Sequence, residues 1–290
     1  MIATTGFFDG VHLGHRLVIE RLVFLAHERG DESLVVTFWP HPRAVLQDGA
    51  RELRLLTTLE EKKTLLSGLG VSRIEVLDFT RSFAALSAEE YLREVLRDRF
   101  GVTTLLVGYD NRLGSDRLTA GALAPVAARL GMELIELEPL TGVYMHPISS
   151  TKIRKSLEKG DIESAASMLG YGYSLQGVVV AGNRLGRTIG FPTANMKLYE
   201  PLKLVPGRGV YVVEAEVLGQ KYRGMTNIGL RPTVGGTSTT IETHILDFDE
   251  DIYGLPLRIT FLRRLRDEIH FPSLDALKAQ LEMDREACRT

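Results

Sequence analysis

The feature that most limits the fold is a change of rhythm near residue 173. Upstream of it, short apolar or β-branched runs alternate with helical stretches; downstream, strand-length runs follow one another with glycine and proline between them. In the first half, residues 34–38, 73–77, 103–107 and 133–137 read as strands. Residues 17–29, 59–66, 87–100 and 119–130 read as helices, the third opened by a Ser87/Glu90 capping box. That alternation predicts a Rossmann-like parallel α/β sheet, with ligands beyond the carboxyl ends of its strands. In the second half, residues 174–181, 209–217, 221–228, 239–246 and 257–265 are strand candidates, and helix signals return only at Ser273, which opens a helix towards Arg289. This pattern predicts a small β-barrel with a C-terminal helix. The two domains are accordingly placed at residues 1–172 and 173–290.

At the amino end, only residues 2–5 remain for a strand before a glycine-rich turn, so that strand is short or its start is truncated. The turn leads to His12 and His15, one helical turn apart at the mouth of an amphipathic helix starting near Val11 or His12. A helix start aims free N–H groups and a positive dipole end at the preceding loop, and Gly6, Gly10 and Gly14 let a bulky anion approach. The stretch therefore points to phosphate handling. A second such place is residues 148–154, where Ser150 and Thr151 stand at a helix start and Arg154 follows one turn later.

The bulk numbers exclude other classes. A chain of 290 residues has room for two cores, and its formal charge of −2 gives no reason to expect nucleic-acid or membrane partners. The basic run at residues 261–266 is followed by Asp267 and Glu268 and reads as a solvated strand edge. Cys288 is the single cysteine, so an intrachain disulfide and a cysteine metal cage are both excluded. No apolar run approaches a membrane span and no signal peptide is present, so a cytoplasmic location is expected; the oligomeric state stays open.

The histidine motif resembles the signature of the nucleotidyltransferase superfamily, and the chain as a whole resembles the bacterial bifunctional riboflavin kinase/FMN adenylyltransferase family. Residues 37–42, Thr-Phe-Trp-Pro-His-Pro, match that family's aromatic-Pro-His-Pro turn, and residues 148–154 its second phosphate motif. Residues 182–195 carry the riboflavin kinase core Gly-Phe-Pro-Thr-Ala-Asn, and residues 206–211, 227–233 and 241–249 match further segments. Asn111 and Leu113 stand where the family pattern carries two aromatics, which puts flavin affinity at the first site in question.

The resemblance implies two activities. The second domain phosphorylates riboflavin with ATP to FMN; the first joins FMN to AMP from another ATP, making FAD and pyrophosphate. His12 and His15 are the expected catalytic contacts of the adenylyl transfer, with Gly6, Phe8, Asp9, Gly10, Ser150, Thr151 and Arg154 around the nucleotide and Trp39 and Asp110 on the flavin. An FMN phosphate oxygen is already a nucleophile, so this site needs charge stabilisation rather than a base. In the second site, Gly182, Gly186 and Gly190 are expected to wrap phosphate with unpaired N–H groups, and Thr193 and Asn195 to hold magnesium bound to ATP. A hydroxyl must lose its proton during transfer, and Glu242 is the expected base. The alternatives are a kinase whose adenylyltransferase half has weakened and a flavin- or nucleotide-binding regulator without turnover.

Overall fold

A computed structural model describes residues 1–46, 53–108, 111–137, 148–182, 185–233 and 236–289. By internal contacts the chain divides into two compact units, Met1–Ser150 and Thr151–Thr290.

In the first unit, β1 (Ile2–Thr5) is as short as expected and wholly buried. It leads to α1 (Leu13–Glu28), β2 (Ser33–Trp39), α2 (Pro42–Leu46), α3 (Leu59–Ser67) and β3 (Arg73–Asp78). Then come α4 (Arg81–Ala84), α5 (Ala88–Glu90), a π-helix (Tyr91–Arg99), β4 (Thr104–Gly108), α6 (Ala120–Arg129) and β5 (Glu133–Leu137). The strands form one parallel sheet in the order β3-β2-β1-β4-β5. Alternate strand residues serve two cores, as a sheet covered on both faces requires. Ile2, Val35 and Leu106 pack with Ile19 and Leu22 of α1, whereas Ala3, Val36 and Val107 pack with Leu92 of the π-helix and Leu123 of α6. The strand order reverses beside β1, so the crevice for a ligand opens at the carboxyl ends of β1 and β4.

One helix departs from expectation. The Ser87/Glu90 capping box forms, but after α5 the backbone widens into the nine-residue π-helix. This segment carries Tyr91, whose hydroxyl bonds Thr5 Oγ1 (2.8 Å) at the end of β1.

The second unit holds most of α7 (Ser150–Glu158), then α8 (Ile162–Leu169), β6 (Ser174–Val180), α9 (Leu185–Thr188) and β7 (Ala194–Leu198). After these come β8 (Gly209–Val217), β9 (Gln220–Thr233), β10 (Gly236–Ile245), β11 (Pro256–Arg266) and α10 (Leu274–Arg289). Six antiparallel strands close a barrel in the order β10-β7-β6-β11-β8-β9. The sequence places Thr193 and Asn195 on one side of a strand; that strand is β7, which begins one residue after Thr193, while helices α8 and α9 were not anticipated. The basic run pairs along β8 alone, because β11 meets β6 only over Pro256–Thr260, so the run lies on a one-sided strand as expected, with Arg266 the exception to solvation. Register shifts between Phe261 and Arg263 and between Arg264 and Arg266 re-aim its arginines. Arg266 is thereby turned inward onto the buried carboxylate of Asp284 in α10 (2.7 Å).

Candidate active sites

The loop after β1 is a strained, clamped turn. Gly6 N–H continues the sheet onto Val36 O (3.1 Å), Gly10 takes φ +86°, and Phe8 and Val11 take φ +47° and +34°. A β-branched residue at such a φ is costly and persists only where surrounding contacts over-determine it. Here Val11 is fully buried, and Asp9 supplies the clamp. Its carboxylate accepts from Leu56 N (3.0 Å), Thr57 N (3.1 Å) and Thr57 Oγ1 (3.3 Å), while Gly10 N–H donates to Thr57 Oγ1 (3.1 Å). Three expectations change accordingly. The Asp9 carboxylate anchors the loop rather than facing a phosphate it would repel, the N–H groups of Gly6 and Gly10 are engaged internally, and Phe8 is a buried packing residue. The Phe8 ring lies edge-on to His15 with centroids 5.3 Å apart.

His12 caps α1: its Nδ1 accepts from His15 N (3.3 Å), and the two imidazoles stack at 3.6 Å with 16° between planes. Burial first, then the nearby charges of His12 and Lys62, hold His15 well below the ordinary histidine range. A neutral His15 therefore stands beside its partner, its Nδ1 buried with no hydrogen-bond partner among the described residues. Ser150 reaches the same loop, donating from Oγ to Asp9 O (3.0 Å). Thr151 and Arg154 follow on α7, counted with the second unit.

Trp39 ends β2 half-buried, and beside it Phe7 packs on Phe38 (5.0 Å), Phe79 (5.5 Å) and the His41 ring (5.5 Å). Asp110 lies outside the described residues. Leu113 belongs to the core, 9% exposed and bridged to Leu118 by mutual backbone bonds of 3.1 and 2.9 Å. One of the two replaced aromatics is thus a packing position, filled by an aliphatic side chain.

In the second unit the barrel register does the assembling. Asn195 on β7 lies directly opposite Glu242 on β10, which lies opposite Asn227 on β9. Residues opposed across antiparallel strands share a face, so a carboxylate is flanked by two amides. Glu242 and Asn227 line a cleft of about 290 Å³ with Thr193, Arg266 and Glu268, against apolar walls from Phe191, Met225 and α10. Thr193 also lines a second cleft of about 370 Å³, with Arg187, Thr243, Asp249 and Tyr253. The glycines here serve close approach: a Cβ on Gly182 would lie 2.3 Å from the Asn195 amide, and one on Gly186 2.1 Å from Phe191 O. Gly190 takes φ +86°, and its N–H turns back onto Arg187 O, so one N–H of the expected phosphate nest is taken up in a short folded turn after α9.

Sequence reasoning missed three residues of this cleft and one of the first unit. Asn227 and Arg266 reach the cleft only through register. His244 was legible as two residues beyond Glu242, on the same face. Its Nδ1 meets Pro192 O at 2.8 Å, which makes that nitrogen the donor, and burial lowers its pKa. The fourth is Lys62, buried beneath the loop after β1.

A family model described as FAD synthetase matches residues 1–152, and one described as riboflavin kinase matches residues 169–290. A bifunctional riboflavin kinase/FMN adenylyltransferase from Listeria monocytogenes is 36% identical, covering 99% of this chain and 91% of its own length. The protein so described from Escherichia coli K12 is 37% identical, with 99% and 91% covered. A solved structure described as a macrolide-efflux protein from Streptococcus pneumoniae is similar with a TM-score of 0.92 and 33% identity, over 100% of this chain and 93% of that one. That description is the other protein's; among the described residues here, no helix is long and apolar enough to cross a membrane.

Proposed function

The chain belongs to the bacterial bifunctional riboflavin kinase/FMN adenylyltransferase family, and from this premise we propose how its residues divide the two reactions. The barrel makes FMN from riboflavin and ATP, and the α/β unit makes FAD from FMN and a second ATP. The observation that carries the kinase assignment is the Asn195–Glu242–Asn227 row across three paired strands, whose Glu242 and Asn227 line one cleft with Thr193.

Riboflavin takes the 290 Å³ cleft, whose apolar wall suits an isoalloxazine, and the nucleotide takes the 370 Å³ cleft, with Thr193 at their shared edge. Glu242 accepts the proton of the ribityl 5′-hydroxyl as that oxygen bonds the γ-phosphorus and the bond to ADP breaks. The hydroxyl of Thr193 and the amide oxygen of Asn195 are neutral, hard donors beside a carboxylate. They fit magnesium, which keeps much of its shell as water and nucleotide oxygens. Bound there, the ion would neutralise charge on the transferred phosphoryl group. Arg187 in the nucleotide cleft adds a fixed positive charge.

In the adenylyl transfer, an FMN phosphate oxygen attacks the α-phosphorus of ATP and pyrophosphate departs, with no proton to remove. His12 and His15 meet the triphosphate by hydrogen bonding at the start of α1, and Ser150, which bonds the same loop, adds a phosphate contact. Trp39 borders the flavin. The core position of Leu113 favours a working first site over a decayed one.

Incubating the pure protein with riboflavin, ATP and magnesium and separating the flavins tests the assignment. FMN followed by FAD is expected. FMN alone would leave only the kinase, and unchanged riboflavin would leave only a binding protein.

A further inference from the structure

Lys62 is the buried charge that neither phosphate motif contains. It lies in the second turn of α3, a helix that starts at the Thr58 capping box directly after the Asp9-bound Thr57. It is 4% exposed. Its Nζ donates one hydrogen bond, to Thr37 Oγ1 (3.3 Å), and Thr37 Oγ1 donates onward to Phe7 O (3.4 Å) in the strained loop. Among the described residues no carboxylate stands within ion-pair distance of Nζ. An ammonium has three donors, so two have no acceptor among the described residues. Burying such a group is costly unless an anion completes it, and an apolar side chain would fill the same space at less cost.

The sheet order says which anion. Both α3 and Thr37 of β2 belong to the β2–β3 side of β1, away from β4. That is the side on which Trp39 ends β2 and on which the proposed reaction places the flavin. The start of α1 is left to the triphosphate. Charge makes the same point: an FMN phosphate must approach an already anionic triphosphate, and His15, held neutral, cannot offset that repulsion.

We propose that Lys62 binds the phosphate of FMN, and so selects a phosphorylated flavin as the acceptor of the adenylyl group. The inference rests on the adenylyltransferase reading above. Burial brings Lys62 down to about 8, with the Asp9 carboxylate nearby opposing the shift, so its charge titrates in an accessible range. Asp9, His12 and His15 are the other titratable groups around it, and burial holds His15 well below that window.

The test is FAD formation from supplied FMN and ATP by the full chain, with Lys62→Met and Lys62→Arg. For Lys62→Met, KM for FMN should rise about tenfold or more, the loss of one charge-assisted contact. KM for ATP should stay within about threefold and riboflavin phosphorylation should be unchanged, whereas a merely structural role would weaken both substrates alike. In the unaltered protein, kcat/KM for FMN should fall as pH rises through about 8; Lys62→Arg, which keeps its charge, should lose that limb. An unchanged KM for FMN overturns the proposal. If Lys62→Met does not fold, a flat alkaline profile in the unaltered protein overturns it instead. Should the unaltered protein make no FAD from FMN at all, the adenylyltransferase reading itself falls.

Discussion

Replacing Asp284 by alanine should loosen the barrel unit and its flavin cleft while leaving adenylyl transfer intact. Asp284 is 5% exposed and takes three contacts from Arg266, at 3.1, 3.1 and 2.7 Å, plus one from Gln280 Nε2 at 2.9 Å. Arg266 is itself only 16% exposed, so removing the carboxylate leaves a guanidinium in a poorly solvated place. Breaking one side of such a pair costs about 3–5 kcal/mol. Each kcal/mol moves the melting point of a unit this size by roughly 3–5 °C, so the barrel transition should fall by roughly 10–20 °C. Because α10 carries Leu277 and Leu281 into the cleft and Arg266 lines it, KM for riboflavin should rise as well. Calorimetry with kinase and adenylyl-transfer rates on the same samples reads all three effects. The double variant Arg266→Met/Asp284→Leu removes both charges and should recover most of the stability. A barrel transition shifted by less than about 1 kcal/mol in Asp284→Ala, or a double variant no better than the single, would refute the argument.

Glu242→Gln should lower the riboflavin kinase kcat by about 10²–10⁴ and leave FAD formation from supplied FMN untouched, measured by initial rates. Leu113→Phe should overpack the first core at a cost of about 1–3 kcal/mol, seen in denaturant melts, without tightening FMN; a lower KM for FMN would show that the position faces the flavin. Acid should destabilise both units. His15 and His244 are held below the ordinary value of 6.5, so their contribution is present above that pH and is lost as pH falls towards the folded values. Melts between pH 7 and 5 should show a smaller loss in the first unit for His15→Gln and in the second for His244→Gln.

The sequence made the architecture legible because its strongest signals were periodic. Strands β2 and β4 lay in apolar runs, β3 and β5 in short ones broken by Glu75 and Glu136, and the five long barrel strands stood between turn residues. What escaped had no period to show. The bounds of strand β7 escaped because it is five residues long without a β-branched side chain, and α9 escaped as a four-residue turn held by Phe191 N–H on Gly186 O (2.8 Å). The π-helix keeps Tyr91, Leu92, Val95 and Leu96 buried, a spacing that an α-helix would also satisfy. Arginine in the 261–266 run suggested solvent until bulges turned Arg266 inward. Lys62 sits among Glu60, Glu61 and Lys63, and nothing in that spacing sets it apart.

The candidate sites were legible as residue types but not as roles, and the glycines show why. A glycine in a phosphate motif invites the reading that its N–H meets the anion. Here the N–H groups of Gly6 and Gly10 end on Val36 and Thr57, and that of Gly190 on Arg187, while Gly182 and Gly186 clear space for Asn195 and Phe191. With these backbone donors engaged, the negative charge of substrate must be met mainly by side chains and by the start of α1. The cations that could do so are then the question at each site. Arg187 in the nucleotide cleft of the barrel and Lys62 beneath the first loop both stand where the fold offers such charge. Neither was marked by a motif role, because folding, not spacing, carries each one to its place.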